Sequence, residues 1–357
     1  MMVPQKKVEL FCGTGGVGKT TIATARALSL SLSGKKVLLI TIDPAKRLKQ
    51  ILKIEDNDDG KICNITLDLF GFDKDKSFDA MLMSPRATLH RMAAEKDLHS
   101  EFDSTIIKTL SRPYGGMNEI MSIIEAQVQL EKNYYDTIIL DTPPGKHFID
   151  FLQASEKIKN FFDKSFLEIF EYLGKSITPS GKTRNLISLI VSTGVKKLLS
   201  YLEDVTGADF VREFIDAVLA LYKCRDSFLK ALSFQEELKK ETFSNWFLVT
   251  SVEQQKMSEA QDLQMQASHF MHKDHFLVIN KCLGPFLNEW DPGQNKVLIH
   301  LKESMSKREK DLQDFAKINF SNLLKFHEIN HPSPLEHVKE LSQMFLAQSE
   351  QNGNHEF

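Results

Sequence analysis

Three groups of residues in this chain have the types and spacings to work on a phosphate. The first is Gly13-Thr14-Gly15-Gly16-Val17-Gly18-Lys19-Thr20, which satisfies GxxxxGK[ST] at every fixed position. Its glycines let successive backbone N–H groups converge on one anion, Lys19 can reach the outer phosphates, and Thr20 supplies a hydroxyl for Mg²⁺. The second is Asp43, which follows the apolar run KVLLIT at 36–41, and the third is Asp141, which follows YYDTIIL at 134–140. A carboxylate ending an apolar strand beside a phosphate loop is what a Walker B acid looks like, with Asp141 near the Mg²⁺ shell. The residues after it, Thr142-Pro143-Pro144-Gly145, would form a loop able to sense the outermost phosphate.

Each group needs an element to position it. Val8 to Cys12 is a strand-type run that breaks into the glycine loop, and helix formers follow from Ile22 to Leu32. Strand, loop and helix is the context the motif requires, because the helix N-terminus adds its own N–H groups to the anion site. Lys36–Thr41 and Tyr134–Leu140 read as buried parallel strands that bring Asp43 and Asp141 to the same sheet edge. Asp43 also has a plainer role as the N-cap of a helix starting near Ala45, with Pro44 at its first position; the two roles are compatible. Gly13, Gly15 and Gly18 spell a dinucleotide GxGxxG as well, with Asp43 as its ribose acid. That reading leaves Lys19-Thr20 unexplained and gives Asp141 no task, so the phosphate loop is preferred.

The 357 residues, 42% hydrophobic and 26% charged, are enough for one large or two ordinary soluble domains. A formal net charge of −3 argues against general nucleic-acid binding. The four cysteines, Cys12, Cys63, Cys224 and Cys282, contain no CxxC, so neither a disulfide framework nor a metal knuckle is signalled and a reducing cytoplasm is expected. No apolar signal core precedes the first strand, and no apolar run reaches the length of a membrane span.

Residues 1–75 read as the first part of a nucleotide-binding domain, 76–132 as a helical segment, and 133–150 as the Walker B strand with its following loop. A helical subdomain is expected over 151–240, the rest of the nucleotide-binding domain over 241–350, and a flexible tail over 351–357. The fold class is α/β, a doubly wound, mainly parallel sheet with an inserted helical subdomain. Two stripes at helical spacing mark that insertion: Ile158, Phe162, Phe166, Ile169 and Leu173, then Phe210, Phe214, Val218 and Leu221. Core packing is the favoured reading of these phenylalanines, and a groove for a partner helix is the other. Between Glu171 and Glu203 there is no acidic residue, while Lys175, Lys182, Arg184, Lys196 and Lys197 lie among aliphatic residues. The 172–202 segment is thus either a solvated basic face or a peripheral contact with an anionic membrane. Asn280-Lys281-Cys282-Leu283 stands where a guanine reader would carry NKxD, but Leu283 replaces the acid. Asn280 is therefore read as an adenine contact, or as a turn cap.

Together, GTGGVGKTT at 13–21, DPAKRL at 43–48 and DTPPGKH at 141–147 resemble the ArsA-type ATPases, which include the arsenite-pump ATPase and the tail-anchored-protein targeting ATPase, relatives of MinD and ParA. The resemblance covers nearly the whole chain. It implies ATP and Mg²⁺ as cofactors, with Gly13 to Thr21 cradling the nucleotide, Thr21 at the α-phosphate, and Lys19 catalytic. It also implies Asp43 polarising the attacking water, Thr20, Asp43 and Asp141 around the metal, and 43–48 and 141–147 as two switches. A homodimer closed by ATP is expected, with a hydrophobic protein segment or membrane-protein partner as client. Arsenite or anion transport is an alternative that the scattered thiols count against. A nucleotide-gated binding switch with little turnover is another. Thr14 stands where the family has a lysine that reaches the partner subunit's nucleotide. Loss of such a cation can be worth roughly 10³-fold in rate, unless Lys46 or Arg47 substitutes.

Overall fold

The computed structural model describes residues 3–42, 47–55, 59–98, 102, 104–110, 118–161, 200, 201 and 203–350. The chain divides into two units: residues 1–83, 128–152 and 236–357 form one, and 84–127 with 153–235 form the other.

The first unit holds eight strands: β1 (Val8–Gly13), β2 (Val37–Thr41), β3 (Ile62–Thr66), β4 (Ser77–Leu82), β5 (Thr137–Asp141), β6 (Ser244–Ser251), β7 (Phe276–Cys282) and β8 (Asn322–His327). They make one sheet in the order β3-β4-β2-β5-β1-β6-β7-β8. All neighbours are parallel except β3 and β4, and helices cover both faces. This is the mainly parallel α/β sheet of a phosphate-loop NTPase. Strands β1, β2, β5 and β6 are buried along their whole length, which is why their sequences run apolar rather than alternating.

The chain's direction reverses along the sheet on either side of β1, so the C-terminal ends of β1, β2 and β5 share the edge that carries the site. Phe11, Phe247 and Phe276 stand opposite one another on β1, β6 and β7. Their rings stack at centroid separations of 4.5 and 5.2 Å, fixing the register of the central strands. Above them lies α1 (Lys19–Leu32), packed along the closing helix, Pro334–Glu350. Arg26 of α1 makes a two-pronged ion pair with Glu9 of β1, at 2.8 and 2.9 Å, and both side chains are buried. Val3 and Asn245 complete the pair's hydrogen bonding, satisfying charges that would otherwise be costly there.

Helices α2 (Arg47–Leu52), α3 (Pro85–Ala94), α4 (Thr105–Leu110), α5 (Asn118–Glu131), α6 (Lys146–Leu152), α7 (Ala154–Phe161), α8 (Ala208–Lys223) and α9 (Arg225–Glu237) follow in order. After them come α10 (Gln254–Ala267), α11 (Gly284–Glu289), α12 (Lys296–Asn319) and α13, the closing helix. In the second unit, Ser84 caps α3 by accepting from Ala87 N–H, with Pro85 in its first turn. Thr88 and Arg91 of α3 both bond the buried Glu125 of α5. No described helix is long and apolar enough to cross a membrane.

The expected helical stretch over 76–132 needs correcting at its start. Ser77–Leu82 is a strand that pairs with β2 and β3. Met81 and Leu82 fall at helical spacing from Leu89, but Ser84-Pro85 separates the two elements. The Phe210, Phe214, Val218, Leu221 stripe is a core face only at its C-terminal end, where Leu221 is buried and Val218 half-buried. Phe210 and Phe214 are 41% and 37% exposed, while Val211, Ile215 and Leu219 turn inward. Of the other stripe, Ile158 is buried; Phe162, Phe166, Ile169 and Leu173 lie outside the described residues, as do the basic residues of 172–202 and the 351–357 tail.

Candidate nucleotide site

The site begins where β1 stops. Gly13 has φ +146°, and a Cβ there would lie 2.2 Å from the carbonyl oxygen of Val249, so only glycine lets β1 turn into the loop beside β6. At the far end Gly18, φ +93°, starts α1 in a left-handed conformation. Between them, side chains added at Gly15 and Gly16 would meet nothing within 4 Å, so the space over the loop is open. Lys19 folds back across the loop and donates from Nζ to the carbonyl of Thr14 at 2.9 Å. Its ammonium is thereby held over the anion cradle expected from the sequence. Val17 is buried in the core beneath the loop, and Thr21 is buried on the first turn of α1. Thr14 is itself buried, at 6% exposure, and brings a neutral hydroxyl to its place.

The hydroxyl of Thr20 donates to Oδ2 of Asp141 at 2.8 Å. The sequence-predicted loop and strand-end acid therefore meet. A third residue joins them that sequence reasoning did not single out: Thr41, the last residue of β2, stands opposite Asp141 in register and donates to the same oxygen at 3.0 Å. A lone threonine at a strand end carries no signal, although its register with Asp141 follows once β2 and β5 are known to be neighbours. Hydroxyl and carboxylate oxygens are the hard donors Mg²⁺ takes, and neither thiol nor imidazole is among them, so Thr20 and Asp141 fit that ion. When bound, Mg²⁺ would neutralise charge on the phosphate oxygens.

The loop after β5 is tied to the phosphate loop through backbone: Gly145 N–H donates to the carbonyl of Gly13 at 3.2 Å. Thr142 holds the carbonyl of Phe11 with both its N–H and its hydroxyl. Lys146 and His147 at the start of α6 are exposed. Asp43 and Lys46 lie outside the described residues, as does the side chain of Arg47, so of the segment expected to be the first switch only the flanks are described. Asn280, at the end of β7, directs its amide into the loop, donating from Nδ2 to Val17 O at 2.9 Å.

Cys12, just ahead of the loop, is fully buried and its thiol is pushed up to about 12 by burial, the Lys19 charge only partly opposing this. A thiol so protonated is neither a nucleophile nor a soft-metal ligand. All four cysteines are free, and no cluster of three or more metal-ligating side chains occurs among the described residues.

Comparison with known proteins agrees with this geometry. A family model described as anion-transporting ATPase, the ArsA ATPase model, matches residues 6–311. The chain is 30% identical over 184 residues to a putative arsenical pump-driving ATPase 2 of Aquifex aeolicus, covering 48% of this chain and 58% of the relative. It is 28% identical over 167 residues to ATPase GET3 of Mycosarcoma maydis, covering 47% and 46%. Over 224 residues it is 31% identical to ATPase GET3 of Phaeosphaeria nodorum, covering 59% and 64%. The alignments thus span roughly half to two thirds of those relatives' lengths, whereas the family model spans most of this chain, from ahead of the phosphate loop to within α12. The chain belongs to the ArsA-type family of anion-transporting ATPases.

Proposed function

We propose that this protein is a Mg²⁺-dependent ATP hydrolase that works as an ATP-closed homodimer in the cytoplasm. The observation that carries the reading is the meeting of Thr20 with Asp141 beneath an open glycine loop whose lysine is already folded over it. In phosphoryl transfer the protein's task is positioning and charge stabilisation, and these groups supply both. Gly13 to Thr21 would hold the phosphates, Thr20 and Asp141 the metal, and Asp43 the attacking water.

The output is proposed to be engagement of a hydrophobic protein segment by the helical unit. Exposed Phe210 and Phe214 on α8 support that output, because they form part of an apolar shoulder outside the buried face of the helix. The names of the relatives point toward arsenical pumping as well. Buried, protonated Cys12 and the scattered positions of the other three thiols do not fit soft-metal capture. A second reading, a slow nucleotide-gated switch, is favoured by Thr14, which has no charge to offer a partner's nucleotide.

Steady-state and single-turnover ATP hydrolysis across protein concentrations tests the proposal, with Asp43→Asn and Thr14→Lys as variants. A rate per subunit that climbs with concentration and is abolished by Asp43→Asn supports a dimeric hydrolase. Tight ATP binding with negligible turnover in the dimer would replace it with the slow switch.

A further inference from the structure

The end of β7 is shaped to send one side chain into the phosphate loop. Asn280 stands opposite Ser251 of β6 and shares a face with Phe276 and Val278, which belong to the core beneath α1. The register between β7 and β8 shifts between Ile279 and Cys282, and within that irregularity Lys281 takes φ +61°. A lysine held there marks backbone constrained by its surroundings. The 7%-exposed Asn280 then reaches the loop with Nδ2, 2.9 Å from Val17 O. A Cβ at Gly18 would lie 2.5 Å from that same nitrogen, so the missing side chain of Gly18 is what makes room for the amide.

The peptide unit between Val17 and Gly18 is planar and trans, so its C=O and N–H point in opposite directions. Holding the carbonyl of Val17 toward β7 turns the N–H of Gly18 the other way, toward the loop's interior. It also keeps a carbonyl dipole from facing a polyphosphate. We propose that Asn280 is a positioning residue for phosphate recognition, acting on the loop whichever base is bound. This rests on the nucleotide-site reading above and adds to the part assigned to Asn280 within it.

The test is calorimetric binding of Mg-ATP, Mg-GTP and Mg-tripolyphosphate, the last having no base, to the full chain and to Asn280→Ala and Asn280→Asp. The alanine variant should weaken all three, tripolyphosphate included, by roughly tenfold for one lost hydrogen bond with a buried carbonyl left unpaired. Asn280→Asp keeps the size of the side chain and so preserves packing, but its carboxylate cannot donate. Its tripolyphosphate affinity should be low at alkaline pH and recover on acidification, as the carboxyl gains an O–H that can donate to Val17 O, a recovery the native chain does not show. Loss of ATP affinity with tripolyphosphate binding intact would overturn the proposal and make Asn280 a base contact, and so would a pH-independent Asn280→Asp. If the native chain bound none of the three, the nucleotide-site reading itself would fall, an outcome separate from any Asn280-specific effect.

Discussion

Thr41→Val isolates the one contact at the site that only the folded chain reveals. Valine has nearly the shape of threonine, so the change removes a hydroxyl without opening a cavity. Asp141 is 1% exposed and its Oδ2 receives both Thr41 and Thr20. A hydrogen bond to a buried charged group is worth about 1.5–3 kcal/mol, and water cannot readily replace it there. With a urea dependence of about 2 kcal/mol per molar, the unfolding midpoint should drop by roughly 1 M, followed by fluorescence of buried Trp246 and half-buried Trp290. The second readout is functional. A hydroxyl that donates its hydrogen keeps its lone pairs, so Thr20 would offer them to Mg²⁺ while still bonded to Asp141, and Thr41 helps to keep that carboxylate in place. ATP affinity of Thr41→Val should be native in EDTA and reduced about tenfold in Mg²⁺, the equivalent of about 1.4 kcal/mol. Equal losses with and without Mg²⁺, or an unchanged urea midpoint, would refute this account of Thr41.

Gly18→Ala should lower nucleotide affinity at least about tenfold and the thermal midpoint by roughly a few degrees. The left-handed backbone alone costs an alanine about 1–2 kcal/mol, before its clash with the Asn280 amide, and calorimetry beside thermal melting would separate the effects. Glu9→Gln leaves Arg26 as an uncompensated buried charge and should destabilise the fold by about 3–5 kcal/mol in urea titrations; replacing both by apolar residues should recover most of that loss. Burial holds His272 and His275 below their ordinary value of 6.5. The unfolded chain then binds more protons than the native one just below that pH. Their contribution to stability is therefore full above 6.5 and lost as pH falls toward the folded values. Replacing both with Gln should flatten urea stability against pH over that range.

The central sheet was legible in the sequence because buried parallel strands write themselves as short apolar runs. Val8 to Cys12 lies within β1, and the runs Lys36 to Thr41 and Tyr134 to Leu140 overlap β2 and β5, starting one and three residues early. The meeting of Thr20 with Asp141 followed from the loop motif and one strand-end acid. β4 was not legible, since Met81 and Leu82 fit a helical stripe with Leu89 unless Ser84-Pro85 is weighted as a break. The outward turn of Phe210 and Phe214 depends on which neighbouring positions win the interior, here Val211 and Ile215, and spacing alone does not decide that. The target of Asn280 depends on a shifted register and a left-handed lysine, features that sequence periodicity does not encode.

The bond from Gly145 N–H to the carbonyl of Gly13 joins two loops through main chain alone. No side-chain replacement deletes it directly, so alanine scanning would pass over the link between them. It is instead a built-in reporter. The Gly145 amide proton exchanges slowly while the loops are joined and quickly once they part. Its exchange rate would follow the loops' separation through a nucleotide cycle without any label.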